Sequence, residues 1–189
     1  MSSHHIIREK QEPALLVLSM DNFDDELFGQ LLEWSPTVMA VGAVAEKLNA
    51  YGIKVDWIIG DMPDDIQSDV KVLPVESGAV VNTALAYLVA NSYPSVNVVT
   101  DEVTLDDYRN VVDQINLVIL SGNEKIYPVQ SGFSKWKPAG DVIALPDHTG
   151  IIETEGLEPI GGNKYQTIAD GFFTIRFDDP FLFIAEHLQ

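Results

Sequence analysis

The segment best suited to chemistry is Gly60-Asp61-Met62-Pro63-Asp64-Asp65-Ile66, where three carboxylates follow a glycine at the end of an apolar run. Asp61, Asp64 and Asp65 are hard oxygen donors of the kind Mg²⁺ takes, and a bound Mg²⁺ would bridge them to substrate phosphates. The same residue types also build an acidic turn, stiffened by Pro63, whose carboxylates bond nearby backbone amides. Asp21-Asn22 offers further carboxylate to the same crevice, while Asp24 and Asp25 read as helix caps. His4, His5, His148 and His187 lack the spacing of a helical metal pair, and His148, after Pro146-Asp147, reads as a solvated turn residue. Lys135-Trp136-Lys137 is a cationic-aromatic patch whose ordinary role is stacking on a neighbouring strand. The chain has no glycine-rich phosphate loop with a following lysine and no Gly-x-Ser-x-Gly elbow.

These residues need a scaffold, and the apolar pattern supplies one. Short continuous apolar runs alternate with helix-period segments over the first two thirds, as in a parallel sheet flanked by helices. Strands are expected at Ala14 to Leu18, Thr37 to Val41, Asp56 to Ile59, Lys71 to Val75, Val96 to Thr100 and Asn116 to Ser121. Helices are expected after Asp24, from Gly42 to a stop at Gly52, and from Ala79 to Asn91, the last apolar nearly all round. Thr104 and Asp107 predict a capped helix through Val112. Gly60-Asp61 then stands beyond the carboxyl end of a strand, where open α/β sheets bind ligands.

After Gly122 turn residues recur between short β-rich runs, of which Val142 to Leu145, Phe172 to Phe177 and Phe181 to Ala185 are clearest. The expected organisation is an arm over residues 1–13, an α/β domain over 14–121 and a small antiparallel, sandwich-like β domain over 122–189. The 189 residues include 11 Lys and Arg against 29 Asp and Glu, a formal net charge of −18. That balance argues against nucleic acid and against an anionic membrane surface. Cysteine is absent, which removes disulfides, zinc–thiolate sites and cysteine nucleophiles. No apolar stretch reaches the length of a membrane span, and Met1 to Lys10 lacks a signal peptide's apolar core, so a cytoplasmic location is expected.

The order of segments from Ala14 onward resembles the thiamine pyrophosphokinase family. Gly52 to Asp61 is similar to that family's stretch ending in Gly-Asp-x-Asp-Ser. Thr154-Glu155-Gly156-Leu157 resembles its Thr-x-Gly-Leu turn, and Asp179-Pro180-Phe181-Leu182-Phe183 its terminal Pro-Leu-Leu-Trp strand. Ala84-Leu85 and Leu88 match its central helix. The resemblance implies an α/β domain followed by a β-rich one, a homodimer, and Mg²⁺-dependent transfer of pyrophosphate from ATP to thiamine. By the same resemblance Asp61 is the catalytic position, Asp61, Asp64 and Asp65 the metal ligands, and Gly42, Gly60 and Asp64 the cofactor contacts.

Several motif positions differ from the family. Val41-Gly42-Ala43 stands for Asp-Gly-Gly, Pro63 for the second acid of Gly-Asp-x-Asp-Ser, and Ser77-Gly78-Ala79-Val80 for Asp-x-Thr-Asp. Thr100 to Tyr108 has no Gly-Gly-Arg-x-Asp-His, and Gln166-Thr167 replaces the thiamine-contacting Ser-Asn. Val41 and Val80 can neither ligate a metal nor accept a proton. The alternative on the same fold is therefore a non-catalytic, homodimeric ligand-binding or scaffold protein.

Overall fold

The computed structural model describes residues 12–63, 69–75 and 78–188. The expected arm, including His4 and His5, lies almost wholly outside them, as do Asp64 and Asp65. The chain divides into two compact units, Met1–Leu117 and Val118–Gln189.

In the first unit, apolar runs become strands buried on both faces. β1 (Ala14–Val17) is fully buried, and β2 (Val38–Val41) and β3 (Trp57–Ile59) nearly so. With β4 (Lys71–Leu73) and β5 (Ser95–Val99) they form a parallel array in the order β5-β1-β2-β3-β4. The chain runs outward from β1 to β4 and then returns to the other side of β1, so the order reverses between β1 and β5.

Helix α1 (Asp25–Leu32) begins where the Asp24 carboxylate accepts from the amides of Glu26 and Leu27 at 3.0 and 2.9 Å. Helix α2 (Gly42–Ala50) starts directly after the end of β2, α3 spans Val80–Ala90, and no side chain caps either. Only one face of α3 is buried, through Val81, Ala84, Leu85 and Leu88, which corrects the expectation of burial nearly all round. Leu105–Asp107 and Arg109–Val111 form two 3₁₀ turns instead of the expected capped helix, and Thr104 makes no side-chain cap. Tyr108, between them, is 2% exposed and anchors the turns in the core.

The second unit is antiparallel. β6 (Asn116–Ser121), which straddles the division, pairs with β7 (Glu124–Val129), and β7 with the terminal strand, numbered β14 (Leu182–His187). β8 (Phe133–Lys137), β10 (Glu153–Glu155) and β13 (Gly171–Arg176) make a separate three-stranded sheet. β9 (Val142–Ala144), β11 (Leu157–Gly161) and β12 (Lys164–Thr167) extend the sheet of β14. Ile143, Ile184, Phe173 and Ile175 come from both sheets into one core, the sandwich-like packing expected.

Candidate functional site

Two cavities open along the carboxyl ends of the parallel strands. One, of about 630 Å³, lies beyond β2, β3 and β4 and receives the first turns of α2 and α3. It brings together Gly42, Gly60 and Asp61, three of the residues that the sequence singles out. Gly60 turns the chain with φ +90°, a conformation that an L side chain rarely adopts. Gly42 is needed for a different reason: a Cβ there would meet the Asp61 carbonyl oxygen at 2.9 Å. The two glycines thus lay the Asp61 loop against the start of α2.

The walls of this cavity carry apolar side chains at Val41, Ile59, Val75 and Val80 beside as much polar surface, and its acids among the described residues are Asp61 and Glu46. Asp61 is exposed. Among the described residues no three His, Asp or Glu side chains converge in a way that could hold a metal ion. The described residues alone therefore do not fit Mg²⁺, which needs several oxygen donors or phosphate oxygens in near-octahedral array.

The second cavity, of about 540 Å³, sits beyond β1 and β5, at the point where the strand order reverses. Asp21 lines it and not the cavity of Asp61. Its carboxylate meets Lys47 of α2 at 3.1 Å, so the expected pooling of Asp21 with Asp61 does not occur. Asp101 joins the two strand ends: its carboxylate accepts from the amides of Asp21 and Asn22 at 3.0 and 2.9 Å, and its own amide donates to Ser19 Oγ at 2.6 Å. Burial raises the Asp101 carboxyl pKa, but these hydrogen bonds outweigh it and hold the group below its ordinary value.

Sequence reasoning singled out neither Asp101 nor Tyr108. An acid pair, Asp101-Glu102, closing an apolar run through Thr100 was the available signal for Asp101; a tyrosine on a short turn gives none.

Other flagged residues have structural roles in the second unit. His148 is buried, with Nε2 2.7 Å from the Gly150 carbonyl, which corrects the solvated role expected of it. Thr167 Oγ1 donates to the Pro138 carbonyl at 2.6 Å and accepts from the Asp141 amide at 2.9 Å, while Gln166 Nε2 donates to the Gly140 carbonyl at 3.0 Å. Gln166 and Thr167 thus staple one turn. Lys135 and Lys137 turn inward to Glu186, at 2.5 and 2.7 Å, while Trp136 is exposed opposite Phe172.

No protein-family model matches the chain, and no curated relative matches its sequence. Solved structures do. Thiamin pyrophosphokinase from Geobacillus thermodenitrificans superposes with a TM-score of 0.68 at 14% identity, covering 93% of this chain and 98% of that one. The yeast enzyme gives 0.68 at 12% identity, over 97% and 88% of the two chains. The Bacillus subtilis enzyme gives 0.64 at 13% identity, over 94% and 100%.

The chain carries the thiamine pyrophosphokinase fold. At these identities the likeness is one of fold, and it runs through both the parallel-sheet unit and the antiparallel one. The changed motif positions Val41 and Val80 line the cavity of Asp61, at the carboxyl ends of that fold's strands.

Proposed function

We propose that this chain is a thiamine pyrophosphokinase-like protein, transferring pyrophosphate from ATP to the hydroxyl of thiamine with release of AMP. The observation that carries the reading is the Asp61 loop, held against the first residue of α2 by Gly42 and Gly60 on a pyrophosphokinase fold. Asp61 is the proposed catalytic position, with Asp64 and Asp65 completing the proposed magnesium ligands and Gly42, Gly60 and Asp64 contacting the nucleotide. The proposed form is a cytoplasmic homodimer. Transfer of this kind depends on positioning and charge neutralisation, so the loop's place matters more than any single acid's basicity.

A second reading, ligand binding without turnover, is favoured by the apolar walls at Val41, Ile59, Val75 and Val80. One experiment separates the two. The purified chain is incubated with ATP, thiamine and excess Mg²⁺, AMP is quantified, and Asp61→Asn is run beside it. Thiamine-dependent AMP that falls by about 100-fold or more in Asp61→Asn supports transfer. Calorimetric binding of thiamine or ATP with no AMP formed supports the second reading instead.

A further inference from the structure

We propose that a third cavity, of about 390 Å³ and built wholly from the antiparallel unit, binds a small ω-amino carboxylate, with a carboxylate at one end and an ammonium at the other. The inference is independent of the transfer reaction and of both cavities at the strand ends.

The floor of this cavity follows from the ladder. Lys164 of β12 stands opposite Ala144 of β9, and Ala144 opposite Ala185 of β14. Directly opposed residues share a face of the sheet, so two alanines, with nothing beyond Cβ, leave a trough between longer neighbours. β7, next to β14, brings Glu124 to the far side, three strand spacings or about 14 Å from β12.

The cations in the lining are the second observation. Lys137, Lys164 and His187 line this cavity, whereas neither strand-end cavity has a basic residue among its lining, on a chain of formal net charge −18. The Lys137 side chain is 12% exposed, and its ammonium meets Glu186 at 2.7 Å and Asp141 at 3.1 Å. An ammonium has three hydrogens, and the third finds no acceptor among the described residues. A largely buried donor without an acceptor is costly, and a ligand carboxylate supplies one.

Among the described residues Lys164 and Glu124 form neither an ion pair nor a side-chain hydrogen bond, and Glu124 makes no ion pair with His187 opposite it on the ladder. One unmatched positive and one unmatched negative group therefore flank the same trough. A plain anion would be opposed by Glu124 and by the net charge of the chain, and a plain cation by Lys137 and Lys164. A zwitterion of the right length meets neither opposition and pairs at both ends.

The probe is 6-aminohexanoate, with hexanoate and hexylammonium as its single-charge counterparts. The full chain is titrated with each at low salt, and binding is followed through the backbone amide signals of residues 124, 140–144, 164 and 185–187. 6-Aminohexanoate should bind there about tenfold or more tighter than either counterpart, because each counterpart lacks one charge pair. Lys164→Gln should weaken 6-aminohexanoate severalfold without weakening hexylammonium, and Glu124→Gln should do so without weakening hexanoate. Both residues are exposed, so the melting temperature of each variant should match the parent's.

Hexanoate or hexylammonium binding as tightly as 6-aminohexanoate overturns the proposal, since the site would then read a single charge. So do shifts confined to other residues, the absence of any saturable shift at millimolar probe, and a preference for 6-aminohexanoate that survives both substitutions.

Discussion

At the scale of single residues, the most demanding site in the second unit is Glu186, buried on β14. Tyr127 donates its hydroxyl to this carboxylate, and Lys135 and Lys137 meet it at 2.5 and 2.7 Å. Burial alone would raise the Glu186 carboxyl pKa, but the two ammonium groups and the phenol outweigh it, and the net shift is below the ordinary 4.5. A depressed folded-state value means stability that is complete above the ordinary carboxyl range and lost as pH falls through the folded value. Glu186→Gln leaves Lys135 and Lys137 without their counter-charge and should cost about 3 kcal/mol in urea unfolding at pH 7. The gap from the parent should shrink once pH falls below about 4.5, where the parent also takes up the proton. An equal gap at pH 7 and pH 3 would show that the loss is one of packing alone. Gly42→Ala tests a different contact. Its Cβ would press on the Asp61 carbonyl, so destabilisation of about 1 to 3 kcal/mol is expected, with amide shifts concentrated at residues 60–63. An unchanged melting temperature and unmoved loop signals would mean that the loop yields freely.

Between elements, the consequential link is the Asp101 staple from the end of β5 to the loop after β1. Asp101→Asn exchanges charge-assisted acceptance for a neutral amide and should cost about 1.5 to 3 kcal/mol. Hydrogen exchange should quicken first at the amides of Asp21 and Asn22, ahead of β1 itself; uniform acceleration would place the effect in the whole sheet. How much of this was legible depends on burial pattern. β1, β2, β3 and β5 were readable because strands buried on both faces give continuous apolar runs. β10, Glu153-Thr154-Glu155, and β12, Lys164-Tyr165-Gln166-Thr167, were not, because their sequences carry no continuous apolar signal. The helix expected after Thr104 failed for a related reason: Tyr108 sinks into the core and breaks the segment into two 3₁₀ turns. Of the residues singled out in the sequence, Gly42 and Asp61 line one cavity. The cavity beyond β1 and β5 escaped notice because it is assembled from strand ends about eighty residues apart, Asp21 and Asp101, which no local spacing encodes.

For the whole molecule, the governing quantity is the formal net charge of −18. So large an excess destabilises the compact state through self-repulsion, and the described ion pairs of Lys47, Lys54 and Arg176 are local relief at the surface. Screening should therefore stabilise the fold. Between about 20 mM and about 300 mM KCl at pH 7 the Debye length falls from about 20 Å to about 6 Å, within the span over which surface carboxylates repel. If the relief amounts to about 1 to 2 kcal/mol, the melting temperature should rise by about 2 to 8 °C, read by calorimetry in a buffer free of phosphate and sulfate. The same screening acts oppositely on ligands of opposite sign. An organic cation is drawn toward the chain, so its association should slow as KCl rises; ATP carries charge of the chain's own sign, so its association should quicken. A flat or falling melting temperature would show that carboxylate repulsion is not what limits stability. An ATP association rate that falls with KCl would require a positive surface outweighing the carboxylates along the route to its site, and among the described residues neither cavity at the strand ends has a basic residue in its lining.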